Sequence, residues 1–519
     1  MPEHDPHLSR LKLPTIIKGA GILLSGRVTA RILGYAYNIL AAKKVGLKGF
    51  GVYTLGLAII RAVAIGLPEG QSSPVVRYVS IYNAVGDGAR VKGTIRFALM
   101  ATGLISVITL AAFLLFAELI AVGVFRQPHL SSVLIPLAFS IPFARLSSVL
   151  LLSTVGLQIM AFRTLTKDLL EPVVTIVTFL LLFLYGFKLE ALIFAYLSSA
   201  MAGFVLAYFL FSKTFRHIFS SPFFPNPKAR RTRPISESKT IFKFAFPIAI
   251  AEVFSRLQRW GDVLVLGYFA PVSQVGLYTI IYKTVSALND ISTSMIGVFN
   301  PMIGPSFEKG AFSTLQSQLQ IVSRWTFSLA FPLVLFALFH TKSILAVLGD
   351  QFIGGELCLT ILLLGFLFEM SSAPTAQVLT MSGKSQITLI NTVGSGLINL
   401  VLFLIFIPQY GIEGAGLAVA LSLLLLGVTR IVEIRAFVGV NPLTVSYLKP
   451  LIAGCSSLVL ALWMEQRLPA NKYVFLASSF VTFSLSYLTA LFVIGLDPAD
   501  RFILAKVKAR LLSPTEERQ

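Results

Sequence analysis

The chain has 519 residues, of which 55% are hydrophobic and 13% charged, and its mean hydropathy is +0.82. Soluble domains carry about 25% charged residues, so this composition excludes a soluble globular protein and indicates a polytopic membrane protein. The two cysteines lie in apolar runs and the five histidines are scattered, which argues against a disulfide framework and a catalytic metal centre. The net charge of +20 is typical of basic cytoplasmic loops; no basic domain stands outside the apolar runs to bind nucleic acid.

Apolar runs follow one another along almost the whole chain, and a membrane-spanning helix needs roughly 20 such residues. The polar stretch 1–14 lacks the basic start and the small-residue cleavage site of a signal peptide, so the first run is interpreted as a transmembrane helix. We therefore predict an all-α integral membrane protein. About fourteen transmembrane helices are expected, at 15–42, 49–67, 94–117, 130–152, 166–186, 189–212, 240–269, 276–304, 318–340, 356–381, 386–407, 412–438, 446–464 and 473–495.

Basic residues are concentrated in alternate loops. With the N-terminus in the cytoplasm, the inward loops hold most of the Lys and Arg residues, including Arg163, Lys167 and the basic loop 213–239. This bias predicts that both termini are cytoplasmic, although Lys43 and Lys44 lie on the outward side. The tail 496–519 is predicted to be a basic amphipathic helix on the inner leaflet, with a frayed tail as the alternative.

Two short sequences recur at the same offset. The stretch Gly51–Thr54 returns as Gly276–Thr279, and Gly186 returns as Gly411, each 225 positions later (276 less 51, 411 less 186). These matches predict two six-helix lobes of equal orientation, a design in which substrate binds between the lobes. The predicted domains are an N-terminal lobe at 1–212, a cytoplasmic linker at 213–239, a C-terminal lobe at 240–438, two extra helices at 439–495 and the tail at 496–519.

Charged residues lie inside the predicted helices, where each costs about 2.5–3.5 kcal/mol on insertion scales and must face the protein interior or a water-filled cavity. Near a helix end, as expected for Arg145, a charge can instead snorkel to the interface. The excess is cationic, and arginine binds phosphate groups bidentately. We therefore predict a substrate site for an anionic headgroup such as a diphosphate, lined by Arg27, Arg31, Arg61, Arg256 and Arg259.

Four acidic residues inside the predicted helices have two candidate roles that the sequence leaves open. They either pair with arginines to hold the fold or bind a coupling H⁺ or Na⁺. No catalytic residue, metal ligand or resident cofactor is predicted, because no glycine-lysine phosphate loop, G-x-S-x-G elbow or H-E-x-x-H helix occurs. The acidic residues are Glu252, Asp262, Asp290 and Glu369.

Three groups of short motifs resemble those of polysaccharide flippases. They are 45–53 with Gly66-Leu67-Pro68, Phe246-Pro247 with 275–278 and Asn300-Pro301, and Ser382-Gly383-Lys384 with Tyr410-Gly411 and Gly414-Ala415. On these motifs the chain resembles the polysaccharide transport branch of the multidrug/oligosaccharidyl-lipid/polysaccharide exporter superfamily. The resemblance extends over nearly the whole chain.

The resemblance implies a flippase, not an enzyme, that moves polyprenyl-diphosphate-linked oligosaccharides from the cytoplasmic to the outer leaflet by alternating access. Related lipid II flippases carry arginines in their first, second and seventh or eighth helices, a placement that Arg27, Arg31, Arg61 and Arg256 fit. The implied partners are the lipid-linked glycan, membrane lipids, and a polysaccharide polymerase with glycosyltransferases. The implied setting is the cell inner membrane, with the protein as a monomer.

Three alternatives remain open at the level of sequence. A lipid II-type flippase would use the same cationic cavity. A cation-coupled exporter of small molecules predicts an enclosed acidic site around Asp262, Asp290 or Glu369. A membrane scaffold predicts that all of the arginines are buried and paired.

Overall fold

Helices make up nearly all of the computed structural model, which describes residues 13–63, 74–220, 252, 254–308, 310–382, 385–465 and 471–495. No strand occurs in these ranges. Nine helices within them are long and apolar enough to cross a membrane. The prediction of an all-α membrane protein is confirmed. The predicted amphipathic tail and most of the predicted linker lie outside the described residues.

The chain divides into two compact units between Ile280 and Ile281. The helices of the first unit are α1 (Leu13–Val63), α2 (Pro74–Ala84), α3 (Gly88–Glu118), α4 (Ser131–Ala138), α5 (Ser140–Gly156), α6 (Ala161–Arg163), α7 (Glu171–Leu184), α8 (Leu189–Ser220) and α9 (254–269). Helix α10 (Val272–Glu308) contains the boundary. The second unit continues with α11 (Phe312–Phe339), α12 (Thr341–Leu348), α13 (Glu356–Met381), α14 (Ser385–Phe437), α15 (Leu448–Glu465) and α16 (Lys472–Ile494).

The predicted segments overlap the helices wherever the structure describes them, with boundaries that differ by up to eight residues, as at the end of α8. Segment 356–381 coincides with α13, and segment 473–495 lies one residue from α16. Helix α1 covers the first segment and the described part of the second, separated by a kink at Gly46, and α14 covers the eleventh and twelfth, separated by a kink at Gly411. The short helices α2 and α12 were not predicted, because an 8- or 11-residue helix is far below the length needed to span a bilayer.

The first unit has a compact apolar core where α2, α3, α5 and α8 meet. Val79 and Val91 are fully buried there, packed with Val149, Leu151 and Ala207. By contrast, Leu115 on α3 leaves 77% of its surface exposed, as expected for a side chain that faces lipid. The same helix therefore carries an inward face and a membrane face.

The repeated glycines occupy matched positions in the structure. Gly186, between α7 and α8, has a φ of 93°, and Gly411, at the kink of α14, has a φ of 57°. Side chains with a Cβ adopt this left-handed region at a steric cost, whereas glycine does not. Each glycine therefore allows the chain to turn sharply between two membrane segments.

Helices α1 and α10 touch backbone to backbone at the other repeated pair. A Cβ on Gly51 would overlap the Val272 carbonyl oxygen, and a Cβ on Gly276 would overlap the Leu47 carbonyl oxygen. The same Cβ on Gly276 would lie 3.1 Å from the Gly51 nitrogen. Small residues at helix contacts inside membranes permit this close approach. The two repeat-related glycines thus form one contact.

Replacing either of these glycines is expected to destabilise the protein. Gly51→Ala and Gly276→Ala should each lower the free energy of unfolding by about 1–3 kcal/mol, because the added methyl group meets backbone rather than a movable side chain. Gly34→Ala on the same helix as Gly51 is the matched control, since a Cβ there has no neighbour within 4 Å. Thermal unfolding in detergent measures all three variants. Equal transition temperatures for Gly276→Ala and Gly34→Ala would contradict the contact.

Candidate functional site

A cavity of about 510 Å³ lies in the first unit among α1, α5, α7, α8 and α9. Charged side chains of both signs line it, and the cations outnumber the carboxylates by four. Serine and aromatic side chains complete its wall. The charged lining residues are Arg61, Arg145, Arg163, Lys167, Arg256 and Arg259, with Glu171 and Glu252.

Arg61 stands in the last turn of α1, against two aromatic rings. Its guanidinium carbon lies 5.2 Å from the centre of the Trp260 ring and 5.6 Å from that of Tyr196. The negative faces of aromatic rings attract a cation without neutralising it. The rings therefore hold the Arg61 guanidinium at the cavity wall.

Glu252, Arg256 and Arg259 lie on one face of the helix that includes α9, since they are four and seven residues apart. The Glu252 Oε1 atom accepts hydrogen bonds from Arg256 Nε at 3.3 Å and from Arg259 Nη2 at 2.9 Å. Arg256 is buried, and its Nη1 also donates to the Arg61 carbonyl oxygen at 3.2 Å. Because cations are favoured at helix C-termini, this bond fastens the end of α1 to α9.

A second group of charges comes from the chain between α5 and α7. Residues Thr164–Leu170 form a π-helical turn, and Arg163, Lys167 and Glu171 follow one another at intervals of four along this stretch. All three line the cavity, as does the buried Arg145 on α5. The sequence analysis assigned Arg163 and Lys167 to a loop and did not single out Glu171. Their spacing at helical intervals was the available signal.

The structure brings together only part of the predicted site. Arg61, Arg256, Arg259 and Glu252 line one cavity, whereas Arg31 is exposed on α1 and is not among the lining residues. The side chain of Arg27 lies outside the described residues.

Asp262 lies inside the protein and does not line the cavity. Its Oδ2 atom accepts a hydrogen bond from the Tyr278 hydroxyl at 2.9 Å, and its Oδ1 accepts one from the Val263 amide at 2.7 Å. The carboxylate therefore joins α9 to α10. The partner is a tyrosine and not one of the arginines that the sequence suggested.

The remaining two carboxylates belong to the second unit. Glu369 on α13 is paired with Arg430 on α14, whose Nη1 lies 3.1 and 3.2 Å from the two carboxylate oxygens. Arg430 was not singled out from the sequence, because 61 residues separate it from Glu369. Asp290 is half-buried on α10. Within the described ranges, no group of three or more His, Cys, Asp or Glu residues is placed to hold a metal ion.

The two arginines that share Glu252 are expected to differ in their effect on stability. Arg256→Ala should lower the free energy of unfolding by about 2 kcal/mol, because it removes charged hydrogen bonds from a buried position. Arg259→Ala should cost less than about 1 kcal/mol, since 59% of that side chain is exposed. Denaturation of the purified variants in detergent tests the order, and equal losses would show that Arg256 does not fasten the two helices.

Comparison with known proteins identifies the family. A family model described as polysaccharide biosynthesis protein matches residues 16–307. An uncharacterised membrane protein of Methanocaldococcus jannaschii is 22% identical over 465 residues, which cover 86% of this chain and 90% of that protein. A stage V sporulation protein B of Bacillus subtilis is 26% identical over 136 residues, about a quarter of each chain.

Solved structures share the fold at low sequence identity. The lipid II flippase MurJ in an inward closed conformation has a TM-score of 0.72 at 16% identity, covering 91% of this chain and 98% of that one. An inward-facing multidrug resistance MATE family transporter of the MOP superfamily has a TM-score of 0.57 at 14% identity, covering 81% and 93%. The family expected from the sequence motifs is thereby confirmed: the chain belongs to the polysaccharide biosynthesis protein family and has the fold of MOP-superfamily transporters.

Proposed function

We propose that the protein is a flippase that carries a polyprenyl-diphosphate-linked oligosaccharide from the cytoplasmic to the outer leaflet by alternating access. The observation that carries this proposal is the lining of the first-unit cavity, where six basic side chains accompany two acidic ones. A cavity with this excess attracts a diphosphate and repels a cation, and the interaction is stronger at low dielectric than in water. Family membership supports a transport function in polysaccharide biosynthesis.

Within the cavity, the exposed cations are the ones available to the headgroup. Arg61 is exposed in spite of its two ring contacts, and Arg259 leaves more than half of its side chain exposed. Each guanidinium presents a planar fork of donors that matches a phosphate group. Arg256 is buried and holds α9 against the end of α1, so its role is to position the other two arginines.

The proposal extends to setting and partners. The protein acts as a monomer in the cell inner membrane with both termini in the cytoplasm, and it needs no resident cofactor. The candidate coupling ion is H⁺ or Na⁺. The glycosyltransferases that build the lipid-linked glycan and the polymerase that uses it are its functional partners. A lipid II-type headgroup has the same diphosphate chemistry, so the same cavity would accept it.

A second candidate function is export of a small molecule, which the shared fold with a multidrug MATE transporter favours. That function requires an acidic site for a cationic compound. Asp262 and Glu369 are instead each bonded to a donor from a neighbouring helix, Tyr278 and Arg430. The charge of the cavity therefore favours the flippase.

Removing an exposed arginine is expected to slow transport of a diphosphate lipid. Arg61→Ala and Arg259→Ala should each lower the initial rate of translocation about ten- to a hundredfold, the effect of losing a charge-assisted hydrogen bond of about 1.5–3 kcal/mol. The measurement follows a fluorescent polyprenyl-diphosphate sugar across the bilayer of proteoliposomes. Arg96→Ala is the matched control, because Arg96 is exposed on α3 and does not line the cavity.

Three outcomes separate the candidates. Slow transport by both cavity variants with normal transport by Arg96→Ala supports the flippase. Wild-type rates in both cavity variants would contradict the role given to the arginines. If the wild type moves a cationic dye but no diphosphate lipid under either ion gradient, the exporter replaces the flippase.

A further inference from the structure

The cavity contains one ion pair that the binding of a headgroup does not require. The Lys167 Nζ atom lies 2.6 Å from the Glu171 Oε1 atom, and both residues line the cavity. Their side chains are 25% and 22% exposed. This pair is therefore reachable from the cavity but largely removed from bulk water.

The Glu171 carboxylate is seated against the backbone of α8. A Cβ on Gly203 would overlap the Glu171 Oε1 atom and would lie 3.0 Å from its carboxyl carbon. Any other residue at 203 would thus displace the carboxylate or itself. Glycine at this position lets α8 and α7 pack with the carboxylate between them.

Other charged groups also face Glu171. Asp168 on the π-helical turn and Arg61 on α1 act on it electrostatically, with opposite signs. Arg145 and Arg163 line the same cavity. Helix α8 contributes the uncharged Tyr196 and Gly203. Lys167 is the cation in direct contact, so it dominates the charge balance at the carboxylate.

An anion that enters this cavity competes with Glu171 for the same ammonium group. Lysine carries a single compact charge, and two anions beside it repel each other strongly at low dielectric. A largely buried carboxylate that loses its cation is stabilised by taking up a proton. The negative charge of the incoming diphosphate also favours protonation of Glu171, because it makes the ionised carboxylate beside it less favourable.

We propose that Glu171 is a proton-binding site whose occupation is coupled to that of the cavity. When a diphosphate binds, the Lys167 ammonium moves from Glu171 to the phosphate oxygens, and the Glu171 carboxylate takes up one proton that the bulk buffer supplies through water in the cavity. When the diphosphate leaves, Lys167 returns and the proton is released. This coupling rests on the proposed function, since it requires an anionic ligand in the cavity.

Calorimetry of the full-length protein in detergent tests the coupling. Geranylgeranyl diphosphate is titrated at pH 7 in HEPES and in Tris, whose ionisation enthalpies differ and which add no phosphate to compete for the cavity, so the difference in heat gives the protons taken up per ligand bound. The wild type is expected to take up more protons than Glu171→Gln, by as much as one per ligand. Subtracting the proton uptake of Glu171→Gln from that of the wild type removes the contribution from protonation of the diphosphate itself. Glu190→Gln, an exposed position on α8, should match the wild type.

A second variant, Lys167→Met, tests the same coupling in case Glu171→Gln does not fold. Lys167→Met removes the cation before the ligand arrives, so Glu171 is already protonated and the extra uptake should again be lost. If Glu171→Gln or Lys167→Met binds the probe with the same proton uptake as the wild type, the coupling is wrong while the flippase proposal stands. If the wild type does not bind geranylgeranyl diphosphate at all, the proposed function itself fails.

Discussion

A cation inside a membrane protein must be stabilised by the protein, because lipid offers no hydrogen bonds and little screening. Around the first-unit cavity this is achieved in several chemically distinct ways. Arg61 lies against two aromatic rings, Arg256 donates to a helix-terminal carbonyl, and Lys167 contacts a carboxylate. These partners leave the positive charge of the cavity only partly compensated. The packing of α1, α8 and α9 around the cavity depends on the same contacts.

The helices of this chain were predictable because bilayer thickness sets a minimum apolar length that few other structures satisfy. The repeat was visible for a related reason. Glycine adopts the left-handed turns at Gly186 and Gly411 without steric cost and leaves room for the backbone contact at Gly51, so the same residue recurs at those positions of the sequence. A short helix such as α2 has no apolar run of membrane-spanning length, so the sequence does not reveal it.

Part of the site was predictable from charges that lie inside the predicted membrane segments, such as Arg61. Glu252, Arg256 and Arg259 were found from their spacing on one face, whereas Arg430, which pairs with Glu369, comes from a different helix. Arg163, Lys167 and Glu171 recur at intervals of four and all line the cavity, but the two cations were expected in a loop, so this signal was not used. Pairs formed by tertiary contact have no local signature in a single sequence.

The contact between Gly51 and Gly276 joins two copies of one sequence position. In a symmetric homodimer, a residue meets its own counterpart only where the interface lies close to the two-fold axis. The contact between Gly51 and Gly276 has the geometry expected of such a self-complementary interface. Since each glycine is opposed by main chain and not by a side chain, no replacement at one position relieves a substitution at the other, and the two must be retained together.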